Sequence, residues 1–224
     1  MPSERKGNYT LLYSRSESSL TGHAKIPAAI LLAAGKGVRF GGNKLFYLID
    51  GKPMYRHMCE ALLLMLEERK ISRLIVVTSG ENLCNDIRQN LLTESGSAGV
   101  TLVANPEPEL GISHSIILGL DTLEKLEPDA EACLFSVADQ PWFRAVSLEK
   151  LLDFFSRSKK GIAACSAGNV IGNPVIFSSA YFQELRRLKG DRGGKQILKS
   201  HPDDVALIQV PVKELQDLDF RPSD

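Results

Sequence analysis

Residues 28–44 read AAILLAAGKGVRFGGNK, an apolar run that gives way to Gly35, Gly37, Gly41 and Gly42 with two lysines and an arginine among them. Glycines at 35 and 37 let the backbone turn sharply and bring amide N–H groups close to an anion. Arg39 offers a planar fork for phosphate oxygens, and Lys44 a compact mobile charge. The chemistry implied is phosphate binding. Neither common phosphate loop is matched. A Walker A loop needs Gly-Lys followed by Ser or Thr, but Asn43 separates Gly42 from Lys44 and Leu45 follows. A dinucleotide fingerprint needs a third glycine where Phe40 stands and a helix where LFYLI follows.

Carboxylates supply the second ingredient. Asp139 follows the apolar run CLFSVA directly, so it projects from a strand end, where it can hold Mg²⁺ together with substrate phosphates or cap the next helix. Near the C-terminus LQDLDFRPSD offers Asp217 and Asp219. In ELGISHSIILGL, Ser113 or Ser115 at a helix start can cap that helix or meet a ligand. His114 has no Ser-His-Asp or metal-ligand spacing to His23, His57 or His201, so helix-start packing or substrate contact suits it better than general-base work.

These residues need elements to position them. AAILLA (28–33), LIVVT (74–78), GVTLVA (99–104) and CLFSVA (133–138) read as buried strands. Between them, Met54, Met58, Ala61, Leu62 and Met65 fall on one helical face, as do Ile112, Ile116, Ile117, Leu120 and Leu123, and Ala145, Leu148, Leu152 and Phe155. A strand at 173–177, a helix near 179–188, another after Gly193 and a last strand around 205–210 complete the pattern. Such alternation predicts an α/β fold, a mostly parallel doubly wound sheet with helices on both faces. Ligands then bind at the carboxyl ends of the strands, where 34–44, Thr78–Gly80, Asn105–Ser115 and Asp139–Pro141 fall.

At 224 residues and 43% hydrophobic, the chain can bury a full core. Lys+Arg and Asp+Glu both number 27, so no net charge draws it to nucleic acid or anionic lipid. The scattered Cys59, Cys84, Cys133 and Cys165 form no CxxC pair and read as buried thiols of a cytoplasmic protein. Residues 1–25 lack the apolar stretch of a secretory signal and read as a flexible extension before a single domain over 26–224. No apolar run approaches the roughly 20 residues needed to span a bilayer.

LLAAGKGVRFGGNK resembles the nucleotidyltransferase signature L-x-A-G-x-G-x-R-M-G-x-x-K, most of all that of the molybdenum cofactor cytidylyltransferases, relatives of the molybdopterin guanylyltransferases. DGKPM (50–54), NPEPELGISHSIILGL (105–120), ADQP (138–141), GNPVIF (172–177) and GDRGGKQIL (190–198) extend the likeness from about Ile26 to Asp219. The resemblance implies a Rossmann-like nucleotidyltransferase fold. It implies transfer of CMP from CTP to the phosphate of molybdenum-molybdopterin with release of pyrophosphate, serving a molybdenum hydroxylase apoprotein. Carried over residue by residue, it makes Arg39 and Lys44 catalytic, and Leu32, Ala33, Ala34, Gly35, Gly37, Arg39, Lys44, Ser79, Gly111 and Ser115 nucleotide-binding. Mg²⁺ would be held by Asp139 and Asp219, with Asp217 as the alternative because Phe220 and Arg221 replace the family's Thr after Asp219. Gln140, Pro141, Asn173, Pro174, Asp191, Gly193 and Gly194 would meet the acceptor. CTP is favoured over GTP because Ala33-Ala34-Gly35 matches the cytidylyl loop rather than the guanylyl A-G-G. Other readings are a sugar-phosphate or methylerythritol-phosphate nucleotidyltransferase and a non-catalytic cofactor carrier.

Overall fold

The computed structural model describes residues 26–35, 37, 40–92 and 98–220. The extension expected at 1–25 and the side chain of Arg39 lie outside the described residues. Strand β1 (Ala28–Ala33) is buried along its whole length, as an apolar run without alternation requires when helices cover both faces. A short hairpin, β2 (Leu48–Ile49) and β3 (Lys52–Pro53), leads into α1 (Met54–Glu67). Then follow β4 (Leu74–Thr78), α2 (Glu81–Asn90), β5 (Val100–Ala104), α3 (Ile112–Leu126), β6 (Ala132–Val137) and α4 (Ala145–Arg157). The last third holds β7 (Ile162–Ala167), β8 (Val170–Ser178), α5 (Phe182–Arg186), α6 (Lys195–Ser200) and β9 (Val205–Gln209).

Seven strands form one sheet in the order β5-β4-β1-β6-β8-β7-β9. β5, β4, β1 and β6 are parallel neighbours, β7 and β9 are parallel, and only β8 runs antiparallel to both its neighbours. Because successive residues of β1 point to opposite faces, Ala29, Leu31 and Ala33 pack with α1 and α4, while Ala28, Ile30 and Leu32 pack with α3. The two core layers are continuous with α2 on the first face and with α5 and α6 on the second. All four cysteines are buried free thiols. Among the described residues no helix is long and apolar enough to cross a membrane.

Strand order reverses at β1, whose neighbours are β4 on one side and β6 on the other. A crevice therefore opens beyond the carboxyl ends of β1 and β6. The β8 strand differs from the sequence expectation. It begins at Val170 rather than at 173, so Pro174 sits inside the strand and not at its start. Its pairing with β7 jumps from Ala164↔Val175 to Cys165↔Gly172, leaving Asn173 and Pro174 unpaired in a bulge. A residue without an N–H belongs at such a bulge rather than in a continuous ladder.

Candidate active site

The crevice holds a cavity of about 420 Å³ lined by the end of β1 (Leu32, Ala34, Gly35), the glycine loop (Gly37, Phe40, Lys44), the start of α3 (Gly111, Ile112, Ser115) and Asp139, Asp191 and Asp219. The loop folds back on itself: the Phe40 amide donates to the Gly37 carbonyl at 2.9 Å, and buried Phe40 and Leu45 anchor it to the core. Gly37 takes a positive φ of 59°, and a Cβ there would stand 2.8 Å from the Gly42 carbonyl oxygen. The close approach of Gly37 to Gly42 thus depends on glycine.

Lys44 opens a single 3-10 turn, Lys44–Phe46, and its side chain is only 9% exposed. Its ammonium donates to Asp139 Oδ2 at 2.7 Å and to Asp219 Oδ1 at 3.3 Å. Burial disfavours the charge, but the two carboxylates outweigh it and hold the amine above the ordinary lysine range. Lys44 is therefore a fixed cation at neutral pH and cannot act as a base. Asp139 stands at the end of β6, which continues its pairing through the Ala138 amide and the Leu32 carbonyl at 3.1 Å. Asp217 is pushed above the usual carboxylate range by burial and then by the charges of Asp139 and Asp219, against a hydrogen bond from Gln140.

A second cavity of about 250 Å³ shares Leu32 and Ile112 with the first. Gln140, Gly172, Asn173, Gly193, Gly194, Lys195 and Asp217 line it. Two chain segments thus contribute to both spaces: Asp139 and Asp219 face the first cavity, and their near neighbours Gln140 and Asp217 face the second.

Several expected site residues are placed otherwise. Ala33 points into the α1–α4 core instead of the crevice, the consequence of strand alternation next to Leu32. Ser79 is exposed beyond β4, and Pro141 and Pro174 are buried, and none of the three lines either cavity. Asp191, read from sequence as an acceptor residue, lines the first cavity, because the 190–191 turn packs on the start of α3, where the Ser113 amide donates to the Gly190 carbonyl at 3.1 Å. Gly111 sits in that contact with φ 86°, and a Cβ would lie 2.4 Å from the Gly190 carbonyl carbon. Gly111→Ala is expected to destabilise the fold by about 1–3 kcal/mol, read as a fall in the thermal unfolding midpoint.

Sequence reasoning named Asn105 only as the start of a strand-end loop and gave it no role; it follows β5 directly and is buried. Its amide donates to Ser115 Oγ at 3.0 Å, and its oxygen takes the Glu107 amide at 2.9 Å and lies 3.0 Å from His114 Nδ1. Its position at a strand end was the available signal. His114 is thereby occupied in fixing the start of α3, and among the described residues no histidine lines either cavity.

Among curated relatives, a probable molybdenum cofactor guanylyltransferase of Thermococcus sibiricus is 44% identical over 54 residues, 24% of this chain and 26% of that protein. The alignment thus spans about a quarter of that relative's length. The purine catabolism protein PucB of Bacillus subtilis is 27% identical over 172 residues, 76% of this chain and 80% of that one. In structure, Rv0371c of Mycobacterium tuberculosis H37Rv superposes with a TM-score of 0.70 at 21% identity, covering 88% of this chain and 95% of that one. A manganese complex of the same protein matches with a TM-score of 0.63 at 20% identity, covering 82% and 87%. At these identities the structural likeness establishes the fold. Residues 29–205 match the MobA-like NTP transferase domain, so the chain, with its two adjoining cavities beyond β1 and β6, belongs to that family of nucleotidyltransferases.

Proposed function

We propose that the chain moves CMP from CTP to the phosphate of a molybdopterin-type acceptor carrying molybdenum, releasing pyrophosphate, and so serves the maturation of a molybdenum hydroxylase. The observation that carries this reading is the pair of cavities meeting at Leu32 and Ile112, with Asp139 and Asp219 on one side of the junction and Gln140 and Asp217 on the other. Transfer between two polyanions needs both held end to end at one reacting centre, with their charge offset. The glycine loop, Lys44 and Arg39 would take the triphosphate. Asn173, Gly193 and Gly194 would take the acceptor beside them.

An acceptor phosphate monoester is largely ionised at neutral pH because its second pKa is near 6. Its oxygen attacks the α-phosphorus, the bond to the β-phosphate oxygen breaks, and pyrophosphate leaves with the electron pair. No base is needed, which suits a site whose lysine stays protonated and whose His114 is otherwise engaged. Two carboxylates converging on one cation, Lys44 Nζ, suit a divalent ion that completes its shell with substrate oxygens, and among the described residues no larger ligand cluster exists. A divalent ion held by Asp139 and Asp219, with Mg²⁺ the natural occupant, would offset charge on the transferring phosphate.

The choice of CTP rests on Ala34, which lines the first cavity at a position where a glycine would let a base approach the backbone more closely. Pyrophosphate release with each of the four ribonucleotides and Mg²⁺, with and without molybdate-loaded molybdopterin, tests the proposal. Release with CTP that depends on the acceptor is expected. Preference for GTP would overturn the reading of Ala34, and release with a sugar phosphate instead would overturn the acceptor. Tight acceptor binding without turnover would point to a carrier.

A further inference from the structure

The segment from Pro211 to Phe220 carries only a 3-10 turn, Val212–Leu215, yet it delivers Asp217 and Asp219 to the site. Successive contacts tie it to residues 139–144. The Leu218 amide donates to the Asp139 carbonyl at 3.0 Å. The Gln140 side-chain amide donates to Asp217 Oδ1 at 2.8 Å. The Lys213 ammonium lies 5.2 Å from the centre of the Trp142 ring. Glu214 accepts from Arg144 Nε at 2.5 Å and faces the Arg144 backbone N–H at 3.4 Å.

Glu214 differs from the other anchors. Its side chain is 3% exposed, whereas that of Arg144 is 59% exposed. A buried carboxylate is tolerated only where opposite charge and hydrogen bonds compensate it. Here the guanidinium supplies the charge, and the backbone N–H of Arg144, the residue just before α4, adds a longer contact at 3.4 Å. The carboxylate therefore ties the 211–220 segment, a strap across the site, to Arg144 at the entry to α4, and five residues later Asp219 meets Lys44 and comes opposite Asp139.

We infer that Glu214 is a positioning residue that sets Asp219 against Asp139 and so tunes the affinity of the site for a divalent ion with nucleotide. The inference rests on the reading of Asp219 as a metal ligand given above. Partners that orient a ligating carboxylate commonly change metal affinity by about 10–100-fold when lost.

The test is Mn²⁺ binding to the whole chain in the presence of a non-hydrolysable CTP analogue, followed by the paramagnetic signal of free Mn²⁺. Glu214→Gln, close in shape but uncharged, is expected to weaken Mn²⁺ binding by roughly tenfold. On an Asp219→Asn background the same change is expected to alter binding by less than about twofold, because the two residues act as one unit. Arg144→Gln leaves the backbone contact and the buried carboxylate in place, and a smaller loss of the same kind is expected. It keeps the test decisive if Glu214→Gln does not fold. A lowered unfolding temperature with unchanged Mn²⁺ affinity, or effects of Glu214→Gln that persist in full on the Asp219→Asn background, would make Glu214 a packing residue and overturn the inference. An Asp219→Asn protein that binds Mn²⁺ as tightly as wild type would instead remove the metal-ligand reading on which it rests.

Discussion

Asp139→Asn is expected to lower kcat/KM for pyrophosphate release by about 10³-fold while leaving the protein folded. On the proposed reading Asp139 holds the divalent ion that offsets transition-state charge, a contribution of several kcal/mol, and each 1.36 kcal/mol is a factor of ten. Asparagine keeps the shape and one acceptor oxygen but removes the charge. The ammonium of Lys44 then loses its nearer counter-charge, at 2.7 Å, and keeps only that of Asp219 at 3.3 Å. Stability is expected to fall by about 1–3 kcal/mol, the usual cost of removing one partner of a buried polar group. Steady-state kinetics and thermal unfolding on the same samples separate the two effects: the kinetic loss should far exceed what the small unfolded fraction explains. Asp217→Asn provides the contrast. Asp217 is held above the usual carboxylate range by burial and by Asp139 and Asp219, so removing its charge relieves repulsion and should not lower stability. A 10³-fold kinetic loss in Asp217→Asn with little in Asp219→Asn would transfer the second ligand to Asp217.

The sequence was most legible where one physical signal dominated. The apolar runs at 28–33 and 74–78 have no competing reading and became β1 and β4 without a shift at either end. Helix α2 was invisible because ENLCNDIRQN offers only Leu83, Cys84 and Ile87 to the core, too few for a period to stand out. Strand β7, IAACSA, is built of small residues that fill a crowded sheet interior but carry little hydrophobic contrast. The direction of β8 is set by its place between β6 and β7, which local periodicity cannot report. In the site, position after a strand end pointed to Asp139 and to the glycine loop, and Asp139, Gly35, Gly37 and Lys44 line the first cavity. It could not show that Lys44 would lie between the two carboxylates, since 95 and 175 residues of chain separate them from it. Nor could it show that the Gln140 amide is engaged by the C-terminal strap, although the residue does line the second cavity.

That juxtaposition makes Lys44→Met the second large effect. With substrate, the ammonium would meet phosphate oxygens, and loss of one such preorganised charge commonly costs about 10²–10³-fold in turnover. Without substrate, the same ammonium neutralises Asp139 and Asp219, so methionine leaves those carboxylates and Asp217 facing one another. Two opposite consequences follow for one substitution: turnover falls, while Mn²⁺ binding by the nucleotide-free protein tightens because no ammonium competes for the carboxylates. The pH dependence separates this from simple misfolding. In wild type the lysine has a raised folded-state pKa, so its contribution to stability is complete below the ordinary lysine range and is lost as pH rises through the raised value. In the variant the uncompensated carboxylates dominate. Carboxyl groups that hold protons more tightly when folded favour the folded state as pH falls toward the carboxylate range. The stability deficit of Lys44→Met relative to wild type should therefore be largest near neutral pH and shrink on acidification, and Mn²⁺ should raise its unfolding temperature more than it raises that of wild type. A deficit that is constant with pH and indifferent to Mn²⁺ would mean that Lys44 contributes packing alone, and that the two aspartates do not form one site.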